Sequence, residues 1–305
     1  MIGLTSFRRA VMPCIMALAL LGSAAQAQQS YKTPEDAAAA LAAAVKSGPG
    51  DILKVLGRAA EDIVSSGDEI ADNDIRQRFT SMYDAKHGIK AEGNKTATMI
   101  LGPDDFPFPI PLINTKAGWE FDTDEGRIEV LRRRIGRNEL DAIQTALAYV
   151  DAQNDYADKD RGEGAGVYAQ HIVSSPGKKD GLFWRDDSDP SPLGALAAEA
   201  AKEGYRAGDV GPAPYHGYYF HILKGQGPDA PGGALNYVVK GKMIGGFALI
   251  AWPAEYGNSG VMTFLVNHAG NVYQKDLGKR TEFVAERTTL FDPDQTWKKV
   301  DAAKP

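Results

Sequence analysis

RRRIGRNELDAIQTALAYV, residues 132–150, is the stretch on which the fold turns. Asn138 is a favourable N-cap residue, and Asp141, three positions later, gives the start a capping-box character. Leu140, Ile143, Ala146, Leu147 and Val150 then share one face at helical spacing, which predicts a helix running to about Tyr156. The polar run from Asp158 to Gly164 ends it. A loop-rich stretch follows, with one further helix expected at 193–203. From Tyr215 the pattern changes to short strand-like runs at 218–223, 235–239, 247–252, 261–266 and 272–275. His268 to Asn271 supplies a tight turn before the last of these. Strands in close succession predict an antiparallel meander, across which the long helix should pack.

Working backwards, the N-terminal half reads as helices and then a few strands. Thr33 is a natural N-cap, Pro34 suits the first helical position, and Glu35 and Asp36 suit the positive end of a helix dipole. A helix is therefore expected over 31–48, a second over 51–56 stopped by Gly57, and a third over 72–86. Residues 96–101 read as a strand. Prolines at 107, 109 and 111 forbid a helix or a central strand, so 106–111 should be extended and exposed at an edge. Leu112-Ile113 and Trp119–Asp122 read as two more strands. Elements segregated in this way indicate an α+β fold. The turn-like Asp124-Glu125-Gly126 suggests a division into residues 28–128, an N-terminal α+β domain, and residues 129–305, a helix with an antiparallel sheet.

Residues 1–27 stand apart. Arg8 and Arg9 precede an apolar run from Ala10 to Leu21, and Ala25-Gln26-Ala27 offers the small residues that a signal peptidase accepts. This predicts a signal peptide cleaved after Ala27, because about 12 apolar residues are too few to cross ~30 Å of hydrocarbon. Cys14 lies inside the apolar run, which does not suit lipidation. Removing Arg8 and Arg9 leaves 32 basic against 40 acidic side chains, a net charge of −8 without any cysteine. Disulfides, thiol catalysis and cysteine-held metals are thereby excluded from the mature chain. The acidic balance argues against nucleic acid as the partner. No later apolar run reaches the length of a membrane span. The expected location is periplasmic or secreted.

Several long motifs occur in order: FPFPIPL (106–112), WEFD (119–122), RRIGRNEL (133–140), DGLFW (180–184), YHGYYF (215–220) and GFALIAWP (246–253). Together they resemble an exported bacterial family defined as a domain of unknown function, which implies no particular activity. The C-terminal half, with AYVDAQ (148–153), GYYF (217–220), AWP (251–253), GVMTF (260–264) and GNVY (270–273), is similar to type IV pilin-like and pseudopilin-like globular domains. That resemblance implies a helical spine on an antiparallel sheet. It carries over fold alone, because no apolar assembly segment precedes the spine. The N-terminal half is loosely similar to cystatin-like cone folds, which implies a small curved sheet.

Chemistry is sparsely signalled. The five histidines form no HExxH and no i, i+4 pair. His216 and His221 are expected on one strand, facing opposite sides. No GxSxG elbow, GxGxxG or phosphate-binding loop is present. Asp104, Asp105 and Asp122 are candidate acid/base carboxylates, and they are also ordinary turn residues. Asp155, Asp158, Asp160 and Glu163 are weak calcium candidates whose spacing departs from the EF-hand. Arg132, Arg133, Arg134 and Arg137 could grip an anionic group. They could equally pair with Asp122, Asp124, Glu125 and Glu139 to tie the halves together. Trp184, His216 and Tyr218 are candidate groove residues, on strands where about half the aromatics should be core.

The sequence therefore predicts an exported cell-envelope protein without a cofactor that binds an envelope protein or a wall polymer. The alternative is an envelope hydrolase using Asp104, Asp105 or Asp122 with His216 at the junction of the halves. That chemistry requires these side chains to converge within roughly 10 Å.

Overall fold

Thr33 caps the first helix as expected. Its hydroxyl accepts the Asp36 amide at 3.1 Å and starts α1 (Pro34–Ser47). Gly48, at a φ of 125° that side chains avoid, ends α1 and also opens α2 (Pro49–Leu56). After a short 3-10 turn come α3 (Glu61–Val64) and α4 (Glu69–Ala85). α4 begins earlier than expected because Asp68 caps it, accepting the Ala71 amide at 3.1 Å. The computed structural model describes residues 28–186, 188–205 and 213–301. The expected signal peptide, residues 1–27, lies outside them.

The first sheet is antiparallel throughout. It comprises β1 (His87–Glu92), β2 (Thr96–Leu101), β3 (Phe106–Pro107), β4 (Leu112–Asn114) and β5 (Trp119–Phe121). β1 carries no apolar alternation and is almost wholly exposed, so no sequence pattern marks it. β3 is the extended edge segment that the prolines demand. Phe106 is exposed while Ile110 turns into the core. Leu41, Ile52, Val55, Met99, Leu112 and Phe121 form that first core, between α1, α2 and the sheet.

α5 (Thr123–Ala157) is far longer than expected, at 35 residues or about 52 Å. It starts at Asp122, whose carboxylate caps the Glu125 amide at 3.2 Å. Asn138 is no cap. It sits mid-helix and donates to the Ser259 carbonyl at 2.9 Å. The division expected at residues 128–129 thus falls inside a continuous helix. Val130 and Leu131 pack on the first core, whereas Ala142, Ile143, Ala146, Tyr149 and Val150 belong to a second.

Beyond α5, β6 (His171–Val173) and β7 (Gly181–Phe183) form a small parallel pair, followed by α6 (Gly194–Glu203). β8 (Tyr218–Leu223) comes next. Two small hairpins follow: β9 (Gly225–Gln226) with β10 (Leu235–Asn236), and β11 (Val238–Val239) with β12 (Lys242–Met243). β13 (Ala248–Pro253), β14 (Met262–Asn267) and β15 (Val272–Asp276) lead to α7 (Thr281–Ala285) and β16 (Lys298–Lys299). The main sheet runs β16-β15-β14-β13-β8, every pair antiparallel. This is the expected meander with α5 laid over it. The expected strand at 235–239 stays outside this sheet. It splits around Tyr237, whose buried hydroxyl donates to Gln226 Oε1 at 2.8 Å. The segregated helices and antiparallel sheets make the fold α+β. Among the described residues no helix is long and apolar enough to cross a membrane.

Two glycines in α5 separate helix propensity from packing. A Cβ on Gly126 would lie 2.7 Å from the backbone and side chain of Ile110, whereas one on Gly136 would meet nothing within 4 Å. Gly136→Ala is expected to stabilise by about 0.5–1 kcal/mol. Gly126→Ala should destabilise by about 1–3 kcal/mol through overpacking. Opposite shifts in urea midpoint check both.

Candidate functional site

Arg134 joins segments that belong to the two cores. It projects from α5 with 5% of its surface exposed. Its guanidinium donates to the carbonyls of Asp62, at 2.8 Å, and Ile63, at 2.6 Å. These are carbonyls of the last turn of α3, which lack intrahelical partners and favour a cation. The same guanidinium donates to Asn258 Oδ1. Asn258 in turn donates to the Ser65 carbonyl at 3.0 Å and to Glu255 at 2.7 Å. Burial pulls the Arg134 pKa down, and Asp72, Asp62 and Glu255 oppose that shift. One side chain on the shared helix therefore binds the N-terminal helices to the β13–β14 turn.

A second set of polar contacts continues the seam. Asp68 is 3% exposed. Its Oδ2 accepts the Tyr205 hydroxyl at 2.8 Å and the Gly217 amide at 3.0 Å. Burial first, and then Asp68, raises the Tyr205 hydroxyl pKa. Gly217 has a φ of 74°, and a Cβ there would fall 2.6 Å from Asn138 Nδ2, so the position demands glycine. His216 lies in the turn before β8, at a φ of 48°, and not on the strand with His221 as expected. Its Nε2 faces Glu203 at 3.2 Å and its Nδ1 faces Asp141 at 3.6 Å. The neighbouring Tyr215 hydroxyl is pushed up to about 12 by burial, reinforced by Glu203, Asp141 and Glu199.

Next to Arg134 a cleft of about 690 Å3 opens between α3, the start of α5 and the 255–258 turn. Its charged lining is Arg58, Glu61, Asp62, Asp124, Arg127 and Glu255, with Ser65 and Asn258 between them. Arg127 Nε donates to Asp62 at 2.6 Å, and this bond raises its pKa further. Four carboxylates against two guanidinium groups leave the cleft acidic. Both halves contribute walls, and Asn258 serves the cleft and the Arg134 contact together.

The expected site residues scatter. Arg134 and His216 reach the seam. Arg132 and Arg133 instead pair with Glu129, at 3.2 and 2.8 Å, one helical turn back. Two of the expected acidic partners are engaged elsewhere. Asp122 caps α5, and Glu139 accepts the Val261 and Met262 amides, each at 3.0 Å. Tyr218 is fully buried, with its hydroxyl on the Met262 carbonyl at 2.9 Å, so it is core and not groove. Asp105 pairs with Lys86 at 2.7 Å in the β2–β3 turn, beside exposed Asp104. Asp122 and Asp141, the residue His216 faces, are nineteen positions apart on α5, about 28 Å along the axis. Asp122 therefore does not converge with the His216 imidazole. Nor do Asp155, Asp158, Asp160 and Glu163 form a calcium loop. Asp160 accepts the Gly162 and Gly164 amides, each at 2.8 Å. Among the described residues no three His, Cys, Asp or Glu side chains stand where they could hold a metal.

Trp184 is also interior. Its indole donates to the Asp189 carbonyl at 2.8 Å, with the Arg161 guanidinium 4.8 Å and the Lys179 ammonium 5.6 Å from its ring. Lys179 bonds Asp189 at 2.8 Å and Asp186 at 3.0 Å. The Ser188 hydroxyl and then Lys179 hold Asp186 down at about 2, and Lys179 also lowers Asp189.

A family model described as "Protein of unknown function (DUF2950)" matches residues 28–300, and the chain belongs to that family. No curated protein matches it, and no solved structure does. Of the cleft and seam residues that the sequence did not mark, Asp62 lies on the one-turn helix α3, Asp68 caps α4, and Glu255 and Asn258 lie in the β13–β14 turn.

Two predictions follow from this geometry. Arg134→Leu leaves three buried carbonyl groups without their donor and should cost about 3–5 kcal/mol in denaturant unfolding. Arg134→Lys should recover little, because one ammonium cannot span that fork. Around Trp184, Asp186 and Asp189 titrate below the ~3.9 of an unfolded aspartate. Their stabilisation is whole above about pH 4 and is lost as pH falls toward 2. The Trp184 indole resonance should lose its hydrogen-bonded shift over that range, and at higher pH in Lys179→Ala.

Proposed function

We propose that this member of the family is an exported, non-catalytic binding protein of the cell envelope. Its working surface is the acidic cleft between the halves. The observation that carries this reading is the charge of that 690 Å3 cleft, with four carboxylates set against two guanidinium groups on walls drawn from both halves. Such a surface favours an incoming ammonium or guanidinium group, on a wall polymer or on a basic segment of an envelope protein. Exposed pairs of this kind contribute about 0.2–1 kcal/mol each, so recognition needs several at once and weakens with salt. The Arg127–Asp62 pair and the Arg134–Asn258 contact hold the walls in place before binding, which lowers the entropy lost on association. Export rests on the features of residues 1–27.

The test uses two probes, isolated wall sacculi and an oligolysine peptide. The protein should saturate at least one of them, and retention should fall several-fold at about 0.5 M salt. Neutralising the cleft with Glu61→Gln and Asp124→Asn should weaken retention by a similar factor. Sacculi should shed no soluble fragments over time. Steady fragment release would establish the hydrolase alternative, and indifference to both probes at low salt would remove the cleft reading.

A further inference from the structure

A second groove, of about 520 Å3, lies between α4 on one side and the end of α1 with the start of α2 on the other. Its α4 wall is a single stripe, Asn73, Arg76, Gln77, Thr80 and Ser81, at positions i, i+3, i+4, i+7 and i+8. Lys46 stands opposite. No carboxylate is among the residues lining it, in a chain with more acidic than basic side chains. The groove is therefore the electrostatic inverse of the acidic cleft, and the two share no residue.

Its two cations differ in how they are held. Arg76 is half-buried, and its guanidinium meets the neutral Asn73 Oδ1 at 3.3 Å. Lys46 bonds Asp84 at 2.9 Å, with both side chains about half exposed. An exposed pair of that kind is weak and readily exchanged. α2 also opens onto the groove at Gly48 and Pro49, with no side chain capping its first amides. Four neutral polar side chains flank this basic centre, each able to donate or accept. The volume falls in the range of small-molecule sites and is far larger than a bare inorganic anion requires.

We propose that this groove binds a sugar phosphate. The phosphate sits on the Arg76 guanidinium, whose planar fork matches two oxygens at once, within reach of Lys46. The sugar hydroxyls meet Asn73, Gln77, Thr80 and Ser81. The inference does not depend on the cleft reading, since different residues carry it.

Calorimetric and amide-shift titrations of the chain with glucose 1-phosphate, glucose and inorganic phosphate test it. Glucose 1-phosphate should saturate with a Kd of about 1 mM or tighter, and at least several-fold tighter than either fragment alone. Arg76→Gln should weaken it about tenfold or more. Asp84→Asn, which releases Lys46, should tighten it several-fold. Arg78→Gln removes the same charge from α4 but from the side chain that pairs with Asp74, and it should change little. A phosphate-linked glycan carrying the same unit separates the two sources. Equal affinity per unit indicates the free sugar phosphate, and binding more than tenfold tighter indicates the polymer. Equal losses in the Arg76 and Arg78 variants, or no saturation by glucose 1-phosphate, would overturn the proposal. Inorganic phosphate binding as tightly as glucose 1-phosphate would overturn it too.

Discussion

The structure depends on a single buried guanidinium. The two hydrophobic cores are separate, one built from residues between 31 and 131 and the other from residues between 142 and 300. What fixes one against the other is polar. Arg134 supplies donors to the end of α3 and to Asn258, and nothing apolar could satisfy the same carbonyl groups. An ion taken out of water this far costs several kcal/mol, and its hydrogen bonds return little beyond that. The contact therefore gives the seam its register more than its strength. A hydrophobic plug would hold many relative positions of the halves, whereas a forked donor aimed at three oxygens holds one.

Helical geometry makes this arrangement economical. Arg134, Asn138 and Asp141 lie at i, i+4 and i+7 on α5, and each reaches a different part of the seam: Asn258, Ser259 and His216. The stripe then turns apolar at Ala142, Ala146 and Tyr149, where α5 leaves the junction and covers the main sheet. One face of one helix is thus polar where it bridges and apolar where it packs. The acidic cleft inherits its shape from this. Its walls belong to three segments far apart in sequence, and Asn258 ties two of them.

That same stripe explains what could and could not be read in advance. Local signals were legible. Thr33 capped its helix, the prolines between 107 and 111 made an edge, and the successive strands after Tyr215 made a meander. Each depends on neighbours within a few residues. The first half of α5 was not legible, because Gly136, five arginines and a capping-prone Asn138 resemble a linker followed by a helix start. Asn138 prefers a cap only until a tertiary acceptor such as the Ser259 carbonyl is offered. Aromatic roles were equally hidden. Tyr218 and Tyr219 are adjacent on a strand, and burial of the first follows from register on β13, which no single strand encodes. The carboxylates behaved as turn and cap residues, as their backbone affinities favour.

The acidic cleft and the basic groove are not independent in construction, although they share no lining residue. α4 joins them. Its cap Asp68 is buried in the seam, receiving Tyr205 and Gly217, and Asp72 accepts the Ser66 amide at 2.9 Å. The next residue, Asn73, already faces the groove, and the stripe continues to Ser81. A helix is stiff over this length, so the position of Asp68 sets the position of Arg76 two turns later. Net charge, by contrast, says little about either surface. An acidic chain can present a basic groove because its carboxylates are held elsewhere. Asp74 is held by Arg78, and Asp68 and Asp72 by backbone amides. Which sign a surface shows is decided by where the fold engages its acids: the capping carboxylates of Asp68 and Asp122 lie outside the cleft, and none of the four that line it caps a helix through its side chain.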